Sequence, residues 1–333
     1  MNSPEDEENS SFILHPSSLD KGKRLDAYLA ENIEGWSRSR LQKLIDEGDC
    51  LVNQKENKSS YKLRGDEEIE VELTETVVEA TEPENIPLDI VYEDEHLAVV
   101  NKKAGMVVHP GAGVSSGTLA NAIAWHFRFQ IPDSKLRSES GIWNLKSEIN
   151  QRIGIVHRLD KDTSGLIVVA KTQETHEKLS EQFRARTVYK SYIALVHGEI
   201  VGDSGKIDAP IAREKHNRTK MSVRAHGRNA LSLWKVKKRF EKFTLLAVEI
   251  KTGRTHQIRV HCASINHPVV GDETYNAGRD KTVNNREIRQ AIADLNRFFL
   301  HAEKLSFTHP VTQERLNFTA PLPTELTDFL ELL

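Results

Sequence analysis

The sequence predicts an α+β protein in two parts, a small helix-and-hairpin module and a larger domain richer in strands. Three features predict it. Strand-like runs outnumber helical ones and do not alternate strictly with them, so a doubly wound parallel sheet is not expected. Pro83 and Pro87, set among polar residues, mark a linker at 81–88. Charge divides at the same place: residues 1–88 carry 21 acidic and 10 basic side chains, and residues 89–333 carry 28 and 36. A basic C-terminal body suits a polyanionic partner, although a solvated surface explains such a balance equally well on charge alone.

The 333 residues suffice for one large core and a small appended one. No apolar run reaches the roughly 18 residues that span a bilayer. Met1 to Ser11 is acidic and polar, unlike a secretory signal. Two distant cysteines, Cys50 and Cys262, exclude a disulfide framework and supply too few ligands for a cysteine-based zinc site. A cytoplasmic protein in a reducing environment is expected.

Along the chain, residues 1–20 lack hydrophobic periodicity and are expected to be a disordered tail. Leu25, Tyr28 and Leu29 share one helical face. Ser37 can cap a second helix carrying Leu41, Leu44 and Ile45, which Gly48 stops. Strands around Cys50–Val52 and Glu68–Leu73 complete a module over 21–80. Within 21–65 there are 10 basic and 7 acidic residues, and Arg40 and Lys43 are neighbours on the second helix, so this module can show a positive face.

The second domain, 89–333, opens with strand Leu97–Val100 and a short strand Met106–His109. A helix follows at about Leu119–Phe127, and 131–150 reads as a surface insertion. Then come strand Leu166–Ala170, helix Gln173–Arg186, strands Val188–Val196, Leu231–Phe240 and Phe243–Ile250, and a helix over Thr255–Ile265. No repeat is present.

Gly111 to Thr118 looks like a phosphate cradle but fails both common templates. Ser116 stands where a dinucleotide fingerprint needs glycine, and Thr118 directly follows Gly117 where a P-loop needs lysine. A tight turn opening a helix accounts for it, and no nucleotide cofactor is expected.

Gly154 to Gly165 places His157, Arg158, Asp160, Lys161 and Asp162 between two apolar runs. Charged loops held by rigid elements often carry sites. Three readings stand open on the residues alone: a solvated loop with internal ion pairs, a metal site on His157 and Asp160, or a carboxylate nucleophile beside a cation.

The run His157-Arg-Leu-Asp-Lys-Asp-Thr-Ser-Gly165 resembles the signature of the RluA-type pseudouridine synthases. Four further stretches agree in order: His109-Pro-Gly with Gly117-Thr-Leu, Lys190 to Gly198, Gly253 to His261, and Leu300 to Pro310. The resemblance covers about 90–322, and residues 21–80 resemble more loosely an S4 RNA-binding domain. Together they look most like the large-subunit ribosomal pseudouridine synthase D branch. The resemblance implies a pseudouridine synthase fold with a mixed, mainly antiparallel sheet, acting without cofactor or metal as a monomer on RNA, most simply 23S ribosomal RNA. A tRNA uridine is the runner-up, and a catalytically silent RNA-binding or ribosome-assembly factor is the rival class.

Residue by residue, the resemblance makes Asp160 the catalytic aspartate, Arg259 its basic partner and Tyr192 the aromatic near the target base. Arg158 matches the arginine that enters the RNA stack where the base leaves, and His157 reads as structural. Without the family, a surface-helix arginine is one reading of Arg259, but its place off the stripe of Ile258, Cys262 and Ile265 would let it point at a cleft; Tyr192, on one face with Lys190, Ala194 and Val196, reads first as a core tyrosine. Residues 206–239 hold 11 Lys/Arg and two acids, so Arg213, Arg218 and Lys220 are candidate phosphate contacts. The chain departs from the family's pattern at Ala212, Ser232 and Trp234, which touches the RNA contacts but not the chemistry.

Overall fold

The structure, a computed structural model, describes residues 10–33, 36, 38–73, 82–110, 114–128, 154–214 and 220–333. The side chains of 10–12, 39, 40, 43, 47, 73 and 128 are outside that description. The chain divides into two units, Met1–Val78 and Glu79–Leu333.

The first unit contains strand β1 (Ser10–Leu14), helices α1 (Leu25–Asn32) and α2 (Arg38–Glu47), and strands β2 (Cys50–Val52), β3 (Lys55–Glu56) and β4 (Ile69–Leu73), in sheet order β1-β4-β2-β3. Leu25, Tyr28 and Leu29 do pack with Leu41, Leu44 and Ile45, against Cys50, Val52, Ile69 and Val71. The buried Asp26 carboxylate ties the two helices, accepting from Arg24, Arg38 and Gln42. The expected disorder through residue 20 is corrected: Ser10–Leu14 pairs antiparallel with Ile69–Leu73, so the run Phe12-Ile13-Leu14 is recruited by an open sheet edge. Ser37, expected as a cap, lies outside the described residues.

The second unit is built on a nine-stranded sheet. Its elements are β5 (Ile90–Glu93), β6 (Leu97–Lys102), α3 (Leu119–Arg128), β7 (Ser164–Ala170), α4 (Gln173–Ala185), β8 (Tyr189–His197) and β9 (Ser204–Asp208). A separate two-stranded ribbon, β10 (Ile211–Arg213) and β11 (Met221–Val223), follows. Then come β12 (Leu231–Arg239), β13 (Phe243–Ile250), α5 (Gln257–Ser264), α6 (Arg286–Asp294), β14 (Leu300–Thr308), β15 (Arg315–Thr319) and α7 (Thr324–Glu331). The sheet order is β5-β6-β7-β14-β8-β13-β12-β9, with β15 on β14. Among the described strand pairs only β7 and β14 run parallel, so the sheet is mixed and mainly antiparallel and the fold is α+β.

Both faces of the sheet are covered, and strand alternation shows it. Tyr192, Ala194 and Val196 of β8 join one core with Ile167, Leu246, Val248 and Ile258. Ile193 and Leu195 face the opposite core with Phe299, Ile292 and Phe329. Each fully buried apolar side chain of this size contributes about 1.5–3 kcal/mol.

Two expectations fail here for a physical reason. Met106–His109 is not a strand, because its carbonyls are spent elsewhere. Val107 O and Val108 O accept from Leu119 N and Ala120 N at the start of α3, and Met106 O from Lys102 Nζ. Nor is 82–86 a bare linker: Asn121 Nδ2 donates to Glu82 O, and Glu84 N to Asn121 O. The expected insertion at 131–150 lies outside the described residues.

Candidate active site

The loop from Gly154 to Thr163 is held at both ends by contacts that admit little but glycine. A Cβ on Gly154 would meet the Ala170 carbonyl at 1.7 Å, and Ala170 N donates to Gly154 O at 2.7 Å. Gly165, at φ +111°, lies where a Cβ would meet Ala302 O at 2.3 Å, so β7 and β14 can start their parallel register there.

Between these anchors the residues alternate. His157 Nε2 accepts from Val168 N at 3.1 Å, and its ring stacks on Phe183 with centroids 4.6 Å apart. Burial, and then the Lys190 charge, pushes this imidazole down to about 3, so it is a neutral acceptor, as the structural reading requires. Leu159 is buried in the core. The Lys161 carbonyl accepts from Gly105 N at 2.9 Å and from Lys102 Nζ at 3.0 Å. Lys102 is fully buried, with its remaining protons on Lys103 O and Met106 O. Arg158 and Asp160, the alternate residues, line the open side.

Asp160 has a side chain 17% exposed, and its Oδ2 accepts from Arg259 Nη1 at 3.2 Å. Among the described residues Oδ1 has no hydrogen-bond partner. Arg259 is itself fixed: Nε and Nη2 donate to Asp272 Oδ2 and Oδ1 at 2.6 and 2.8 Å, a bidentate pair. The guanidinium carbon lies 4.2 Å from the Phe298 ring centre and 5.0 Å from that of Tyr275. Burial opposes its charge, but Asp272 and then Asp160 outweigh that and hold its pKa above the ordinary value. The surface-helix reading of Arg259 is therefore corrected. Helix α5 is buried on every side, with Gln257, Val260 and His261 inside as well as Ile258 and Cys262.

Tyr192 is 7% exposed. Burial, and then the Asp160 charge, raises its pKa, so the phenol keeps its proton. His256, in the left-handed region at φ 56°, places Nδ1 2.7 Å from the Tyr275 hydroxyl. That oxygen also accepts from Met221 N at 2.8 Å. Burial lowers the His256 pKa, with Asp160 acting in the opposite direction.

Two hollows meet at Asp160. One, of about 1560 Å³, is lined by His109, Asp272 and Phe298. The other, of about 530 Å³, is lined by Tyr192, Lys190 and Phe183. Arg158, Leu159, Asp160, His256 and Arg259 line both. The structure thus brings together Asp160, Arg259, Tyr192 and Arg158. It does not bring Arg213 or Lys220 to either hollow; they lie on and beside the β10–β11 ribbon. Arg218 and the side chains of Arg40 and Lys43 are outside the described residues. In the glycine-rich stretch, Gly117 N donates to the Glu84 carboxylate at 2.9 Å, so that amide is satisfied without a phosphate.

Sequence reasoning missed Asp272, Tyr275, His256 and Lys102. Asp272 had one signal, its place after Gly271 in a turn that follows apolar Val269-Val270. A carboxylate with one oxygen fixed and the other open offers a nucleophile or a base. Among the described residues no three His, Cys, Asp or Glu are placed to hold a metal ion.

Residues 96–264 match the family described as RNA pseudouridylate synthase. The chain is 41% identical over 315 residues to the ribosomal large subunit pseudouridine synthase D of Xanthomonas campestris pv. campestris, covering 94% of this chain and 89% of that one. It is 40% identical over 317 residues to an RNA pseudouridine synthase of Bacillus subtilis (strain 168), covering 95% and 96%. Among solved structures, human RNA pseudouridylate synthase domain containing 4 shares the fold. The TM-score is 0.56 at 21% identity, over 73% of this chain and 91% of that one.

Proposed function

Since the chain belongs to the RNA pseudouridylate synthase family, and is thereby an isomerase, we propose that it converts uridine to pseudouridine in large-subunit ribosomal RNA with Asp160 as its catalytic carboxylate. The reaction breaks the bond between N1 and the ribose C1′, turns the uracil, joins its C5 to C1′, and removes the C5 proton while N1 takes one up. No atom is gained or lost and nothing is oxidised, so the chemistry calls for no cofactor.

The observation that carries this reading is the fixed half of Asp160. Its Oδ2 is held by a guanidinium that Asp272 already grips, while Oδ1 has no hydrogen-bond partner among the described residues and Asp160 lines both hollows. Whether the open oxygen attacks carbon or takes a ribose proton, it must be aimed, and the Arg259 hydrogen bond to Oδ2 aims it. Tyr192, a neutral phenol on the wall, offers a stacking face for an everted uracil. Arg158, exposed at the shared rim, can fill the gap left in the RNA stack.

The ribosomal substrate rests on the names of the relatives, which span nearly the whole chain. Nothing in the site favours tRNA instead. Residues 21–80 we read as an S4-like RNA-binding module, joined to the catalytic domain in a monomer. Both thiols are buried and free, which suits the cytoplasm, and among the described residues no helix is long and apolar enough to cross a membrane.

Asp160→Asn and Asp160→Ala are expected to lower pseudouridine formation by about a thousandfold or more while RNA affinity stays within a few-fold. Substantial residual turnover by either variant would remove Asp160 from its role. Mapping pseudouridine in ribosomal and transfer RNA of cells lacking the protein tests the substrate. Loss confined to tRNA would transfer the assignment.

A further inference from the structure

The rim of the smaller hollow carries arginines that form no ion pair with a carboxylate among the described residues. Arg186 ends α4 in the left-handed region at φ 61°. Arg228 exchanges both backbone hydrogen bonds with Ile211, at 3.0 and 2.9 Å. Its neighbour Gly227 sits so close that a Cβ would meet the Ile211 carbonyl carbon at 2.6 Å. Arg254 has its backbone N on Gln257 Oε1 at 3.1 Å and its Nε on Asn229 O at 3.1 Å. Three separate segments therefore deliver three guanidinium groups from well-fixed backbone positions to one opening.

We propose that Arg186, Arg228 and Arg254 form a phosphodiester grip that seats the RNA strand beside the everted nucleotide. The inference rests on the RNA substrate argued above and adds the residues that hold its backbone. Among the described residues, no Asp or Glu forms an ion pair with any of the three. Arg158 and Arg184, which line the same hollow, likewise form no ion pair among the described residues, whereas Arg24, Arg38, Arg224, Arg239, Arg259 and Arg297 are each matched to a carboxylate. Leaving three like charges together costs stability, which an incoming anion restores. Their proximity is physical: after burial, the charges of Arg228 and Arg186 depress the Arg254 pKa.

Deeper in the same hollow Lys190 lies 5.3 Å from the Phe183 ring centre, also without a carboxylate partner among the described residues. Burial pushes its pKa down to about 8. A planar guanidinium matches two phosphate oxygens at once, which suits a backbone contact better than a base contact. The hollow also holds Asp160 and Tyr192, so a strand gripped at this rim presents its nucleotide to both.

The test uses the full chain and a short RNA carrying a substrate uridine. Replacing all three arginines (Arg186→Gln, Arg228→Gln, Arg254→Gln) is expected to raise KM about tenfold or more with kcat within a few-fold. The slope of log affinity against log salt becomes shallower by roughly 0.7 for each phosphate that is no longer neutralised. Lys242→Gln, an exposed charge change away from the hollow, should alter neither. On the unaltered protein, neutral methylphosphonate linkages placed singly along the RNA should weaken binding at one to three neighbouring positions, and the triple variant should no longer sense them. Unchanged KM and salt slope in a folded triple variant, or a scan with no sensitive linkage, overturns the grip. So does displacement of RNA by inorganic phosphate at matched ionic strength, which would make this a free-phosphate site. If the unaltered protein makes no pseudouridine in any RNA, the proposed function fails, and the scan still decides the grip.

Discussion

Asp272 lies 13 residues after Arg259 and has no motif around it, yet it sets the guanidinium that aims Asp160. Asp272→Asn would turn one accepting oxygen into a donor facing Nε or Nη2. A guanidinium displaced by even a fraction of an ångström no longer presents Nη1 to Asp160. The expected loss is about 10- to 100-fold in kcat with KM for RNA little changed, read by steady-state kinetics. A rise in KM with kcat intact would instead give Asp272 a part in RNA binding. At this scale the sequence offered Asp160, Tyr192 and Arg259 only through the resemblance of the dense runs around them, and on the residues alone it left bland readings open. It was illegible where the role arises from tertiary approach. Gly271-Asp272-Glu273-Thr274 reads as an ordinary surface turn, and only the fold puts its carboxylate, 1% exposed, against helix α5. The ring pair of His256 and Tyr275 joins two segments 19 residues apart for the same reason.

At the scale of elements, apolar patterning identified the central strands β6, β7, β8 and β13 to within a few residues, because strands covered on both faces read as nearly unbroken apolar runs. It failed at Met106–His109, whose apolar pattern suits a strand but whose carbonyls cap α3 and hold Lys102. The junction of the site loop with β7 has a consequence for pH. His157 must stay neutral to accept from Val168 N. The unfolded chain takes up a proton near pH 6.5, whereas the folded chain resists it down to about 3. The stabilisation is therefore complete above about pH 6.5 and is lost as pH falls through that window, by up to about 1.4 kcal/mol per pH unit. His157→Gln keeps an acceptor and removes the titration. Denaturation midpoints between pH 6.5 and 4 should fall less steeply for the variant than for the unaltered protein, and parallel slopes would show that the ring is protonated freely in the fold.

For the whole molecule, the composition break and the two prolines mark a linker at 81–88, whereas the contacts divide the chain between Val78 and Glu79. What composition did not reveal is β1, which makes residues 10–14 part of the first unit's sheet. Each unit has a core of its own: the first is closed by Leu25, Leu29, Leu41 and Leu44, the second by the two faces of its sheet. A fragment beginning at Glu79 should therefore fold alone, with a single cooperative thermal transition in circular dichroism. It keeps Asp160, Arg259, Tyr192 and the arginine rim, so its kcat on a short RNA should remain within a few-fold of the full chain. Removing an RNA-binding module should instead appear as a higher KM on long ribosomal RNA and a shallower salt dependence, since fewer phosphates are neutralised. A fragment that fails to fold would mean that the second core needs the first. A folded fragment with unchanged KM on long RNA would mean that the N-terminal unit serves something other than RNA.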